Sequence, residues 1–160
     1  MKRIGPSFLL TVCLLAASLV LSSVGNAQDA RDTKAMSALK AETAKLGAPK
    51  IQGSDLYFGN TKVSADLVDA VVKKNGGVAT LFAKSGDQYV RVATTVKKED
   101  GTSAVGTALD ANSHALAKLK NGEAYYGDAT VFGKTYVAEY EPIKDASGAV
   151  IGAYFVGYPK

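Results

Sequence analysis

The chain has 160 residues and a formal net charge of +4, with 47% apolar and 21% charged residues. The length suits one domain, and the composition excludes a disordered or collagen-like chain. A single cysteine excludes an intrachain disulfide framework, and a single histidine excludes a multi-histidine metal site.

Lys2 and Arg3 precede an uncharged apolar run from Phe8 to Leu21, and Gly25-Asn26-Ala27 places small residues at the two positions a signal peptidase reads. This pattern predicts a secretory signal over residues 1–27, cleaved before Gln28. The run falls short of the roughly twenty apolar residues that span a bilayer. Cleavage removes Cys13, Lys2 and Arg3 but no acid, so the formal charge falls from +4 to +2 and no thiol remains. A thiol-free chain suits an exported protein. The remaining lysines are scattered, unlike the basic patch of a nucleic-acid binder, so no nucleic-acid partner is expected.

Residues 28–46 contain good helix formers, and Met36, Leu39 and Leu46 with several alanines make a thin apolar stripe. Such a helix is expected to lie along the domain surface or to pair with a second copy as a homodimer. Gly47 and Pro49 end it. A turn-rich stretch follows, with a short strand at Leu56-Tyr57-Phe58. Ser64 is placed to cap a second helix whose buried face is Leu67, Val68, Val71 and Val72, and Asn75-Gly76-Gly77 stops it. From Val78 the period changes to two. Strands are predicted over 78–83 and 88–96, a helix over 110–120, and strands over 124–131, 134–142 and 149–157. Short connections imply antiparallel pairing. The fold class is α+β: residues 47–160 form a sheet of five or six strands with one face covered by helices.

The runs Gly76-Gly77-Val78-Ala79-Thr80-Leu81-Phe82, Gly86-Asp87-Gln88-Tyr89-Val90-Arg91-Val92 and Lys97-Lys98-Glu99-Asp100-Gly101 come in that order. Ala104-Val105-Gly106-Thr107, Tyr125-Tyr126-Gly127, Phe132-Gly133-Lys134-Thr135-Tyr136 and Glu141-Pro142-Ile143 follow. In this order and spacing the chain resembles the Cache 3/Cache 2 fusion domains, extracytoplasmic sensor modules, over about residues 47–158. The resemblance implies a PAS-like single Cache domain. It has a long N-terminal helix along a central antiparallel sheet, and a small-molecule pocket under loops on the other face. It also implies signal transduction of the chemotaxis-receptor type. Family members usually continue into a membrane helix and an output domain. This sequence stops at Lys160, so the expectation is a sensor domain released into the periplasm and working through a membrane receptor or histidine kinase.

After cleavage the chain keeps fifteen lysines but only two arginines, Arg31 and Arg91. Arg91 sits mid-strand between valines, where burial is expected, and a buried guanidinium needs a partner. That partner is a ligand carboxylate or a protein acid such as Glu139 or Glu141; otherwise Arg91 lies on an exposed face. Alternation puts Tyr89, Arg91, Ala93 and Thr95 on one face as a pocket floor. Related amino-acid-binding Cache domains carry Tyr-x-Arg-x-Trp here. Tyr89 and Arg91 match, Ala93 replaces the Trp, and no downstream partner Asp is evident. A small organic acid therefore fits better than an amino acid. Eight tyrosines and no tryptophan leave Tyr125, Tyr136 and Tyr140 as candidate pocket walls, with core packing as the alternative.

Other groups read blandly. His114, near a helix start, is expected to be solvated, and Lys97 to Asp100 form a polar hairpin tip, from which Lys98 could close over an anion. Nothing marks a Ser-His-Asp geometry, and no glycine-rich phosphate loop occurs. No cofactor, metal or catalytic residue is expected. The alternatives to a ligand-binding sensor are a protein-interaction or structural module without a ligand, and a hydrolase.

Overall fold

The computed structural model describes the backbone from residue 27 and side chains from residue 34 to the end of the chain. The expected signal segment lies outside the described residues, apart from Ala27. The elements are α1 (Ala27–Ala44), β1 (Pro49–Gln52), β2 (Asp55–Phe58), β3 (Thr61–Lys62), α2 (Ala65–Asn75), β4 (Val78–Ser85) and β5 (Gln88–Thr94). α3 (His114–Lys120), β6 (Tyr125–Val131), β7 (Lys134–Lys144) and β8 (Val150–Pro159) complete the chain.

The main sheet has five strands in the order β5-β4-β8-β7-β6, all antiparallel. Hairpins β4–β5, β6–β7 and β7–β8 follow the short connections, and the late strand β8 inserts beside β4 to close the order. β1, β2 and β3 form a separate three-stranded sheet where only the strand at 56–58 was expected. Its outer strands are too short and polar to show a period. The small sheet still adds Leu56 and Phe58 to the core, with Val63 just past β3, and a side chain at Gly59 would collide with the Leu46 carbonyl.

Each face of the main sheet carries its own core. On one, α1 and α2 cover Leu81, Ala83, Tyr154 and Val156. On the other, α3 and the segment between β5 and α3 cover Phe82, Tyr89, Tyr140 and Phe155.

α1 departs from expectation. It packs on β7, β8 and α2 with Ala35, Met36, Leu39 and Thr43 buried. Thr43 donates to the Lys40 carbonyl and shares a 3.1 Å hydrogen bond with the Tyr154 hydroxyl. The stripe looks thin because two of its members are small, and small residues let a helix approach a sheet closely. The apolar face on which the homodimer expectation rests is turned into its own domain.

α3 begins at His114 rather than at Asp110. The Asp110 carboxylate accepts from the Asn112 amide at 2.8 Å, which holds a turn, and Ser113 caps the helix by accepting from Ala115 N–H. Local side-chain bonds of this kind compete with helix.

Candidate functional site

The β4–β5 ladder carries the first determinant. Phe82 pairs with Arg91, but the next rung pairs Leu81 with Ala93, so Val92 is an extra residue. A bulge of this kind breaks alternation. Tyr89 and Arg91 stay on the α3 side, whereas Ala93 joins the core under α1 and α2. The expected shared face of Tyr89, Arg91, Ala93 and Thr95 therefore ends at Arg91.

The edge of β5 is covered. The Arg91 amide donates to the Thr107 carbonyl at 2.9 Å, Gly106 N–H to the Arg91 carbonyl at 2.8 Å, and Leu109 N–H to the Tyr89 carbonyl at 2.8 Å. This extended segment roofs one side of a cavity of about 550 Å³. Its walls come from three places: Ala108 to Asp110 with Asn112 to His114, the end of β6 with its turn (Asp128 to Phe132), and Arg91 and Tyr140 from the sheet.

Arg91 is only 4% exposed. One terminal nitrogen, Nη1, donates to Thr107 Oγ1 at 3.0 Å and to the Ala108 carbonyl at 2.8 Å. The guanidinium carbon lies 5.1 Å from the Phe82 ring centroid and 5.3 Å from that of Phe132. Nε is buried without a hydrogen-bond partner. Among the ion pairs of the described residues Arg91 takes part in none, while Glu141 accepts from Lys40 at 2.6 Å. Burial pulls the guanidinium below its ordinary pKa, partly offset by neighbouring Tyr140. A cation so enclosed, bonded only to neutral oxygens, is chemically suited to an incoming anion.

Tyr140 is almost wholly buried and packs against Phe155 in a tilted arrangement with ring centroids 4.6 Å apart, with Tyr125 edge-on at 6.1 Å. Burial drives its phenol far above the usual value, against the opposing pull of the Arg91 charge.

Of the five residues singled out from sequence, Arg91 and Tyr140 meet at the cavity. The Tyr89 hydroxyl donates to the Leu119 carbonyl at 3.2 Å, which ties β5 to α3. Tyr136 is buried in the same core, and the Tyr125 hydroxyl donates to the Asp128 carbonyl at 2.8 Å. None of these three lines the cavity. His114 is exposed, as expected, yet stands on the cavity rim, and Lys98 does not line it. Sequence reasoning missed Asp110, Asp128 and Phe132. The two acids lie at turns or on exposed strand positions, where acids are ordinary. Phe132 had a usable signal: it occupies a two-residue hairpin turn where glycine or asparagine is favoured. Among the described residues no cluster of His, Cys, Asp and Glu could hold a metal ion, and no helix is long and apolar enough to cross a membrane.

The model of the Cache 3/Cache 2 fusion domain family matches residues 16–160. The fold is similar to that in the crystal structure of the E. coli DcuS sensor domain, with a TM-score of 0.51 at 16% identity. That likeness covers 81% of this chain and 89% of the other. No curated protein sequence matches the chain.

Proposed function

The chain belongs to the Cache 3/Cache 2 fusion domain family, and on that premise we propose that it is a periplasmic sensor module for a small organic anion. The anion is a carboxylate bound beside Arg91. The module is exported behind a cleaved signal peptide and acts through a separate membrane receptor or histidine kinase. The reading includes no bond-making step.

One observation carries it: Arg91 is buried at a 550 Å³ cavity, without an acidic partner and with Nε unsatisfied. Removing a charge from water is costly unless an opposite charge or strong hydrogen bonds replace the lost hydration. A ligand carboxylate supplies both, and the planar fork of arginine suits it. The phenol of Tyr140, held protonated by burial, is a second donor at the same wall.

A second reading rests on the bonds of Nη1. They tie Thr107 and Ala108 to the sheet, so Arg91 could serve as a structural clamp for the covering segment of a ligand-free interaction module. A thermal-shift screen against acetate, pyruvate, succinate and citrate separates the two. A binder adds about 2.7 kcal/mol at a hundredfold its Kd. The sensor reading expects at least one acid to raise the melting temperature of the wild type and not of Arg91→Ala. No shift with any acid rejects it in favour of the clamp.

A further inference from the structure

Phe132 and Gly133 form the two-residue turn between β6 and β7, and both have positive φ, 47° and 75°. Phe132 is the one non-glycine residue among those described with φ in the left-handed region. A side chain there crowds its own backbone, which is why such turns favour glycine and asparagine. Backbone strain of this kind persists where surrounding contacts hold it in place. Here the contact is the ring, 5.3 Å from the guanidinium carbon of Arg91.

The rest of the guanidinium is already constrained. Phe82, wholly buried mid-sheet, supplies the other ring. Thr107 and Ala108 occupy Nη1. What remains for a ligand is the edge that carries Nη2 and the unsatisfied Nε. Phe132 is half-buried and lines the cavity, so it is the wall of this slot that also meets the ligand space.

We infer that Phe132 is a positioning and specificity-determining residue: its ring on the strained turn fixes the plane of the Arg91 guanidinium, so that the free edge accepts a flat carboxylate and discriminates against tetrahedral oxyanions. This rests on the anion-site reading above. The chemistry is that of an aromatic ring against a desolvated cation. A carboxylate lies in the guanidinium plane when bound bidentately, whereas a phosphate or sulfate projects oxygens out of that plane toward the ring.

The test uses the small number of arginines. The sequence has three, Arg3, Arg31 and Arg91, so the Nε–H resonance of Arg91 can be assigned by its loss in Arg91→Lys. Phe132→Leu removes the ring while leaving the backbone cost of a side chain at that φ. The expected result for wild type is an Arg91 Nε–H that exchanges slowly with water and is displaced by ring current. In Phe132→Leu, with the amide spectrum otherwise preserved, exchange quickens about tenfold or more. Acetate, pyruvate and succinate are then titrated against inorganic phosphate. The ratio of phosphate to carboxylate Kd is expected to fall about tenfold or more in the variant. Unchanged exchange overturns the positioning role, and faster exchange with an unchanged ratio overturns the specificity role. If no carboxylate perturbs the Arg91 signal in wild type, the anion-site reading itself fails, and the specificity role with it. That result is distinct from either of the others.

Discussion

Phe82 lies opposite Arg91 on the β4–β5 ladder, and the ring of one stands 5.1 Å from the guanidinium carbon of the other. The pairing is set by the hairpin turn at Gly86-Asp87, from which the register runs unbroken to this rung. The bulge lies one rung beyond it: Val92 and Ala93 both face Leu81, which turns Ala93 to the α1 and α2 side, away from the arginine.

Arg91→Ala is expected to leave a folded domain. The covering segment keeps its three backbone bonds to β5, and the Lys40–Glu141 pair is untouched. Loss of two side-chain hydrogen bonds from a charged donor costs roughly 1.5–3 kcal/mol each at most, and relief of an enclosed cation offsets part of that. Carboxylate affinity should fall at least about tenfold, and Arg91→Lys should recover only part, since an ammonium lacks the planar fork. Calorimetry and urea denaturation on the same preparations check both. Undiminished affinity in a folded Arg91→Ala protein removes Arg91 from the site.

Leu39→Ala should destabilise the domain by about 2–5 kcal/mol, the range for truncating a buried leucine. Leu39 is wholly buried between α1 and the main sheet, with Met36 beside it at 1% exposure. Deleting residues 28–46 should abolish cooperative unfolding, since it strips the apolar cover from β7 and β8. A truncated chain that still melts cooperatively near the wild-type temperature would show that α1 is dispensable.

The strands were legible because β5, β6 and β7 alternate, and the central β4 and β8, buried on both faces, are short apolar runs of β-branched and aromatic residues next to glycine turns. Gly86-Asp87 and Phe132-Gly133 lie where the β4–β5 and β6–β7 hairpins turn. The role of α1 was not legible. A buried alanine adds little to an apolar stripe and a buried threonine nothing, yet both complete the face that packs on the domain, where Thr43 meets Tyr154. At the site, Arg91 could be singled out because an arginine mid-strand between valines is anomalous in a lysine-rich chain. Tyr89 could not be sorted from Tyr140 by composition. One bonds a helix carbonyl and the other borders the cavity, and only the path of the 104–113 segment decides which. The bulge at Val92 left no sequence mark, since valine suits either face.

Phe132→Ala and Phe132→Gly remove the same ring and differ only at Cβ. The left-handed φ of 47° burdens alanine and not glycine. Phe132→Gly should therefore be the more stable of the two by about 1 kcal/mol, despite the greater freedom of glycine in the unfolded chain. Urea midpoints at equal slope measure the difference. Alanine equal to or better than glycine would mean that the turn is not strained at this position.

Tyr140→Phe is expected to change alkaline stability with a definite sign. The folded phenol is held far above its usual pKa by burial, with Arg91 pulling against that shift. An unfolded tyrosine ionises near pH 10. Below that pH both states keep the proton, and Tyr140 contributes no pH dependence. Above it the unfolded chain releases a proton that the folded chain retains, so wild-type stability declines as pH rises, at a limit of about 1.4 kcal/mol per pH unit for this group. Phenylalanine keeps the ring contacts with Phe155, Phe82 and Tyr125 and cannot ionise. Near pH 8 the variant should lie within about 1 kcal/mol of wild type, the scale of one hydrogen bond. By pH 11 the difference should have moved about 1.4 kcal/mol in favour of the variant. Tyr89, Tyr136 and Tyr154, also shifted upward by burial, are present in both proteins and cancel in the comparison. Denaturation midpoints at pH 8, 10 and 11 provide the measurement. A difference that stays constant across that range would mean that the Tyr140 phenol ionises as freely in the fold as in the unfolded chain. It would then be reached by water through the cavity rather than sealed beside Arg91.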